Sequence, residues 1–236
     1  MNRGINKAGV AGTVRIAIDG PGGAGKSTIA KAVAKKLGME YVDTGAMYRA
    51  VGYKMNAENV APEDTEAVER ILRATNIDFE NGVIYLDGED VSGKIRTPEM
   101  SGIASVYSAL PPVREKLVLI QRNIGRRKSV VMDGRDIGTN VFKDAQFKFF
   151  LTASAEERAK RRYLELREKG DDTTFEQVLA DIEKRDHTDT HRKLNPLRKA
   201  DDAVEIDSTD MTIEQVISFI YDRVNAQFSL VREFQR

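Results

Sequence analysis

The stretch "TVRIAIDGPGGAGKSTIAKAVAKKLG" (13–38) constrains the fold more than any other part of the chain. A β-branched run ends at Asp19, and a glycine-rich segment begins at Gly20. Beyond Lys26 the apolar residues Ile29, Ala30, Val33, Ala34 and Leu37 recur at helical spacing before Gly38. Strand, tight turn and helix must therefore follow one another without a linker. "EYVDTG" (40–45) reads as a second strand, which completes a βαβ unit. The turn, "GPGGAGKS", fits G-x-x-x-x-G-K-[ST]. Its glycines let successive backbone N–H groups point inward, and the helix start adds a positive end, so the segment can cradle phosphate oxygens. The chemistry is divided among Gly20, Pro21, Gly22, Gly23, Ala24, Gly25, Lys26, Ser27 and Thr28. Lys26 brings charge to the outer phosphates, Ser27 offers a hydroxyl to Mg²⁺, and Thr28 adds a donor. A glycine-rich turn with no ligand is the alternative; the flanking strand and helix favour the phosphate reading.

Later runs repeat the alternation. "SVVMDG" (129–134), "FKFFLTA" (147–153) and "AVEIDST" (203–209) read as strands, and 156–169 and 212–228 as helices. Alternating strands and helices imply a parallel sheet covered on both faces. The segment 76–100 departs from this: "ENG" and "LDG" between short β-rich runs signal a small antiparallel insert. The Arg/Asp-rich stretch 183–202 reads as a mobile loop, and residues 1–13 as a short lead-in without the apolar centre of a secretory signal. Length suits one sizeable domain: 236 residues, 41% hydrophobic. Basic and acidic residues balance at 37 each, which argues against sequence-independent nucleic-acid binding. The absence of cysteine excludes disulfides and thiol catalysis. No apolar run is long enough to span a bilayer, so a cytoplasmic protein is expected.

The phosphate loop alone does not separate a kinase from an ATPase or a GTPase switch. What faces it must decide. In a parallel sheet, ligands sit beyond the C-terminal strand ends. There "VDTGAMYRAV" (42–51) sets Thr44, Tyr48 and Arg49, a second phosphate or sugar site or else a solvated helix start. "MDGRDIGT" (132–139) sets Asp133 near the expected Mg²⁺, with Arg135 and Asp136 on the same turn; an internal ion pair in a tight turn is the alternative. Arg158, Arg161, Arg162 and Arg167 lie on one helix, with Arg185, Arg192 and Arg198 in the loop region after it. Mobile arginines can neutralise a phosphoryl group in transfer, although most such residues on a helix are simply solvated. Another small-molecule kinase and an RNA-binding switch are the rival functions.

"IDGPGGAGKST", "VDTGAMYRAV", "LDGEDVSGKIRTPEMSGIASVYSALPPVREKL", "VMDGRDIGTNVF" and "FFLTASAEERAKRRYLELREKG" occur in order. Together they resemble the bacterial cytidylate kinase family, from about Val14 to the closing helix. The resemblance implies a three-layer P-loop NTPase fold with a five-stranded parallel sheet. It implies a single kinase domain over 14–230, with a nucleoside-monophosphate-binding region at about 44–114 and a mobile lid at about 156–192. The implied reaction moves the γ-phosphoryl group of ATP to CMP or dCMP with Mg²⁺, in a monomer that binds neither nucleic acid nor membrane. Lys26, Arg135, Arg158 and Arg162 would be catalytic, with Arg161 also in the lid. Thr44, Arg49, Arg135 and Arg192 would surround the acceptor phosphate, with Tyr48 nearby. Ser105, Arg114 and Asp136 would read the cytosine, Arg185 and Asp189 would approach the pentose, and "DST" (207–209) would lie near the adenine.

Overall fold

A computed structural model describes residues 13–80 and 82–233. The order of elements begins with β1 (Arg15–Asp19), α1 (Lys26–Leu37), β2 (Glu40–Asp43), α2 (Thr44–Ala57) and α3 (Thr65–Arg73). An insert follows: β3 (Ile77–Glu80), β4 (Val83–Leu86), β5 (Glu89–Asp90), α4 (Pro98–Ser108) and α5 (Pro111–Arg127). The chain closes with β6 (Val130–Gly134), a π-turn (Ile137–Val141), β7 (Phe147–Thr152), α6 (Ala155–Glu168), α7 (Phe175–His191), β8 (Val204–Asp207) and α8 (Ile213–Glu233).

The main sheet has the order β2-β6-β1-β7-β8, and its paired strands are all parallel. Alternation along the strands explains the two covered faces. Ile16 and Ile18 point to the side packed by α1 and α8, with Val131, Ile220 and Val224 in the same cluster. Ala17, Val130 and Met132 point to the opposite side, where α2, α5 and the insert pack. The insert is a three-stranded antiparallel sheet, β3-β4-β5, as the hairpin signals imply. Its buried Ile77 and Phe79 alternate with exposed Asp78 and Glu80 and join the core on the α2 side.

Residues 183–202 do not form one loop: α7 runs on to His191 and carries Arg185 and Asp189. The reason is local. Thr174 and Gln177 form a reciprocal capping box at its start. Phe175, Val178, Leu179 and Ile182 then present an apolar stripe to Tyr163, Ala159 and Leu166 of α6. The charge density of the segment hides this periodicity. The closing helix continues to Glu233, past residue 228. Of the expected lead-in, residues 1–12 lie outside the described residues, and Thr13 donates through Oγ1 to Gly125 O at 2.8 Å.

Helix α5 packs closely because Gly125 has no side chain. A Cβ there would lie 2.4 Å from Phe142 Cζ, and Phe142 is fully buried with Arg15 over its ring. Gly125→Ala should lower stability by about 1–3 kcal/mol through overpacking. A drop of several degrees in thermal melting checks this, and an unchanged midpoint would show that the ring can move aside.

Candidate active site

Strand ends supply the floor of the site. β1 gives way at Asp19 to the glycine-rich loop, and Gly20 is needed for close approach: a Cβ there would lie 1.9 Å from Leu151 O. Gly25 caps α1 in a left-handed conformation, φ 81°, that favours glycine. Lys26, at the helix start, folds back so that Nζ donates to Pro21 O at 2.6 Å. Burial, and then the neighbouring Arg135 charge, hold its ammonium well below the usual lysine range. Ser27 Oγ donates to Asp133 Oδ2 at 2.8 Å, and Tyr41 donates to the other carboxylate oxygen at 3.0 Å. Serine hydroxyl and carboxylate thus stand together at the head of the loop. Among the described residues no group of three or more His, Cys, Asp or Glu could hold a metal. The Ser27 hydroxyl beside the Asp133 carboxylate is an all-oxygen donor pair, which fits a hard cation such as Mg²⁺.

The β6 turn faces this loop. Thr44, in the first turn of α2, anchors its entrance by donating Oγ1 to Asp133 O at 2.7 Å. Arg135 and Asp136 then project into the site. Their ion pairs are long-range and not internal to the turn. Arg135 Nε donates to Asp189 Oδ2 at 2.8 Å. Asp136 accepts from Arg114 Nη2 at 2.6 Å, Asn140 Nδ2 at 3.0 Å and Arg192 Nη2 at 3.3 Å. Tyr48 lies under the Arg114 guanidinium, 5.5 Å from ring centre to Cζ. Arg49 combines both readings of its position: it pairs with Asp43 at 3.2 Å and also lines the site.

Loop and turn share one cavity of about 800 Å³. Its walls include Lys26, Ser27, Thr28, Thr44, Tyr48, Arg49, Ser105, Arg114, Arg135, Asp136, Arg161, Arg185, Asp189 and Arg192, together with Ser208 and Thr209 of the "DST" segment. The two sides are close. A Cβ on Gly22 would sit 3.5 Å from Arg135 Nη2 and 3.6 Å from Arg185 Cδ. Burial, and then the Arg135 charge, lower the Arg185 guanidinium to about 10. Burial would raise Asp189, but Arg135, Arg185 and Arg192 together outweigh it and hold the carboxyl below its ordinary value. Like charges held this close are relieved by a polyanion.

Some residues expected in the site stand elsewhere. Gly20 and Pro21 form the base of the loop and not the cavity wall. Arg158 is buried behind the loop, donating from Nη1 to Gly22 O at 2.9 Å and pairing with Asp186 at 2.6 Å. Arg162 is half-exposed on α6, paired with Glu165 at 3.1 Å, and does not line the cavity. Conversely, Gln121 lines it without having been expected; it is buried, and its Nε2 has no hydrogen-bond partner among the described residues. Its distance from every motif hid it, although it lies two helical turns beyond Arg114 on the same face of α5.

Burial, and then the like charge of Asp43, push the Asp133 carboxyl up to about 6 from 3.8. A raised carboxyl favours folding in its neutral form. Its contribution is full below 3.8 and is lost as pH rises through about 6. Asp133→Asn should therefore melt above the parent protein at neutral pH, with the gap closing as pH falls through that window. A melting series across pH checks it; a gap that widens in acid would contradict it.

Comparison with known proteins places the chain in a family. A model of the cytidylate kinase family matches residues 16–226. A cytidylate kinase of Caldanaerobacter subterraneus subsp. tengcongensis is 54% identical over 212 residues, covering 90% of this chain and 95% of its own. One from Clostridioides difficile is 50% identical over 214 residues, covering 91% and 99%. An uncharacterised protein from Eubacterium ventriosum, 12% identical with a TM-score of 0.50, covers 91% of this chain and 99% of its own, and is alike in fold alone. Loop, facing turn and a match along nearly the whole chain lead to one conclusion: this protein belongs to the cytidylate kinase family.

Proposed function

We propose that the protein transfers the γ-phosphoryl group of ATP to CMP or dCMP, giving ADP and the nucleoside diphosphate. The observation that carries this reading is the single cavity lined by both Lys26 and Asp136, with Arg135 and Arg185 over the loop. ATP would lie with its phosphates in the loop of residues 20–28 and its adenine toward Ser208 and Thr209. The acceptor would lie under Arg114 and Asp136, its phosphate among Thr44, Arg49, Arg135 and Arg192, with Arg185 and Asp189 toward the pentose and Ser105 and Tyr48 along the base. Phosphoryl transfer needs no protein nucleophile. The acceptor oxygen attacks in line, and the cations position two polyanions and offset the charge that spreads over the moving group. Ser27 and Asp133 would hold Mg²⁺, which would supply positive charge to offset that of the phosphates.

The unit formed by α6 and α7, about 156–192, is proposed as the lid. Support comes from its own small apolar core, Ala159, Leu166 and Val178, separate from the two large ones. Support comes also from its polar fastening to the phosphate loop, through Arg158 Nη1 to Gly22 O, while the Arg158–Asp186 pair ties α6 to α7 within the unit. Polar fastenings can exchange for phosphate contacts, and closure would exclude water as a competing acceptor. Arg162 would reach the phosphates only on such closure. The antiparallel insert within about 44–114 belongs to the acceptor side. A cytoplasmic monomer is proposed, and no helix among the described residues is long and apolar enough to cross a membrane.

Asp136 would choose the base. A carboxylate accepts from the cytosine amino group and faces the uracil carbonyl unfavourably. In a coupled ADP-release assay with CMP, dCMP, UMP, AMP and no acceptor, CMP and dCMP should lead. Asp136→Ala should cut kcat/KM for CMP roughly 10- to 100-fold, the worth of a hydrogen bond to a charged group. ADP release independent of any acceptor would point to an ATPase instead, and an unchanged CMP/UMP ratio in the variant would remove Asp136 from base selection.

A further inference from the structure

Asp19 lies outside the cavity wall, yet its side chain reaches the turn that displays the acceptor-facing residues. It is buried at the end of β1, and its two oxygens accept from Ile137 N at 2.8 Å and Gly138 N at 2.7 Å. Those N–H groups open the π-turn immediately after Arg135 and Asp136. The next residue along the chain from Asp19 is Gly20, the first of the phosphate loop. One residue therefore joins the two halves of the site, by a covalent bond on one side and a bidentate hydrogen bond on the other. The entrance of the β6 turn is held separately, by Thr44 Oγ1 on Asp133 O. Its exit is held by the Asp19 carboxylate.

An ionised carboxylate in such a place is costly. Burial pushes its carboxyl up to about 6 although both N–H bonds oppose the rise. Filling space at the strand end would need only an apolar side chain. Two N–H groups pointing the same way need two acceptors, and a carboxylate supplies both. Gly138 fits the same clamp: a Cβ there would come within 3.3 Å of Asp19 Oδ2 and 3.2 Å of Lys148 Cδ.

We propose that Asp19 is a positioning residue for acceptor choice, fixing through Ile137 and Gly138 where Asp136 stands relative to the phosphate loop. The proposal rests on the CMP-kinase reading. Asparagine in its place keeps the shape but turns an NH₂ toward one of the two N–H donors, and the turn must shift to relieve that contact. Because Asp136 selects the base, the shift is read in selectivity as well as in rate.

The test compares the parent protein, Asp19→Asn and Gly138→Ala in steady-state kinetics with CMP and UMP at saturating ATP, alongside KM for ATP and thermal melting. Asp19→Asn should lower the CMP/UMP ratio of kcat/KM about tenfold, the worth of one hydrogen bond to a charged group, and raise KM for CMP. KM for ATP should stay within about twofold. Gly138→Ala should lower the same ratio from the other side of the clamp, leaving the phosphate loop untouched, and it carries the test if Asp19→Asn does not fold. A preserved ratio, with lowered melting or with both KM values raised together, would reduce Asp19 to a structural role. Parent protein that fails to phosphorylate CMP would defeat the functional reading itself, and the proposal with it. Activity on CMP with an unmoved ratio in both variants would defeat the proposal alone.

Discussion

Carboxylates buried at the ends of neighbouring parallel strands set the terms for everything around them. The register that pairs Asp43 with Asp133, and Asp19 with Gly134, brings three acids to the C-terminal edge of the sheet, where the strands end. Unanswered, such charges would be prohibitive in that place. Each is answered by donors from a different part of the chain: Ser27 and Tyr41 on Asp133, Arg49 and Ala46 N on Asp43, and the β6 turn on Asp19. The phosphate loop, the start of α2 and the acceptor-facing turn are thereby located relative to one another by satisfied charge. Apolar packing beneath the sheet makes this edge rigid, and hydrogen bonds give it direction.

Around that edge the site holds its cations in pairs. Arg135 shares Asp189, Arg114 and Arg192 share Asp136, and Arg158 shares Asp186. Paired in this way, Arg135, Arg114 and Arg192 are held at the cavity wall, and Arg158 is held behind the loop. Nucleotide phosphates are better partners than single carboxylates because they present more oxygens and more charge. An exchange of partners is therefore a natural route from the arrangement seen here to one with substrates bound. α7 contributes acids to these pairs from the lid side, and so the same bonds connect substrate binding with the position of the lid.

The limits of the sequence reading follow from distance along the chain. The phosphate loop was legible because its strand, turn and helix are contiguous and each has its own local signal. The same holds for the antiparallel insert, whose turns are marked by Gly82 and Gly88 at positive φ. α7 was not legible as a helix, because Arg185, Asp186, His187 and Asp189 mask an apolar stripe that has meaning only once α6 is beside it. Gln121 carries no motif. Asp19 looked like the end of a strand, and its bond to the β6 turn spans more than a hundred residues.

By itself the sequence determined the alternation of strands and helices, the phosphate-binding loop and the residue types that face it. These depend on short-range periodicity, backbone freedom at glycine and side-chain chemistry, all written in neighbouring residues. Tertiary structure alone decided that Lys26 and Asp136 open onto one cavity, that Arg158 is fastened behind the loop while Arg162 stays outside, and that Asp19 bridges the two halves. The physical reason is that hydrogen bonds and ion pairs act over about 3 Å whatever the separation along the chain, and only packing determines which residues come within that reach.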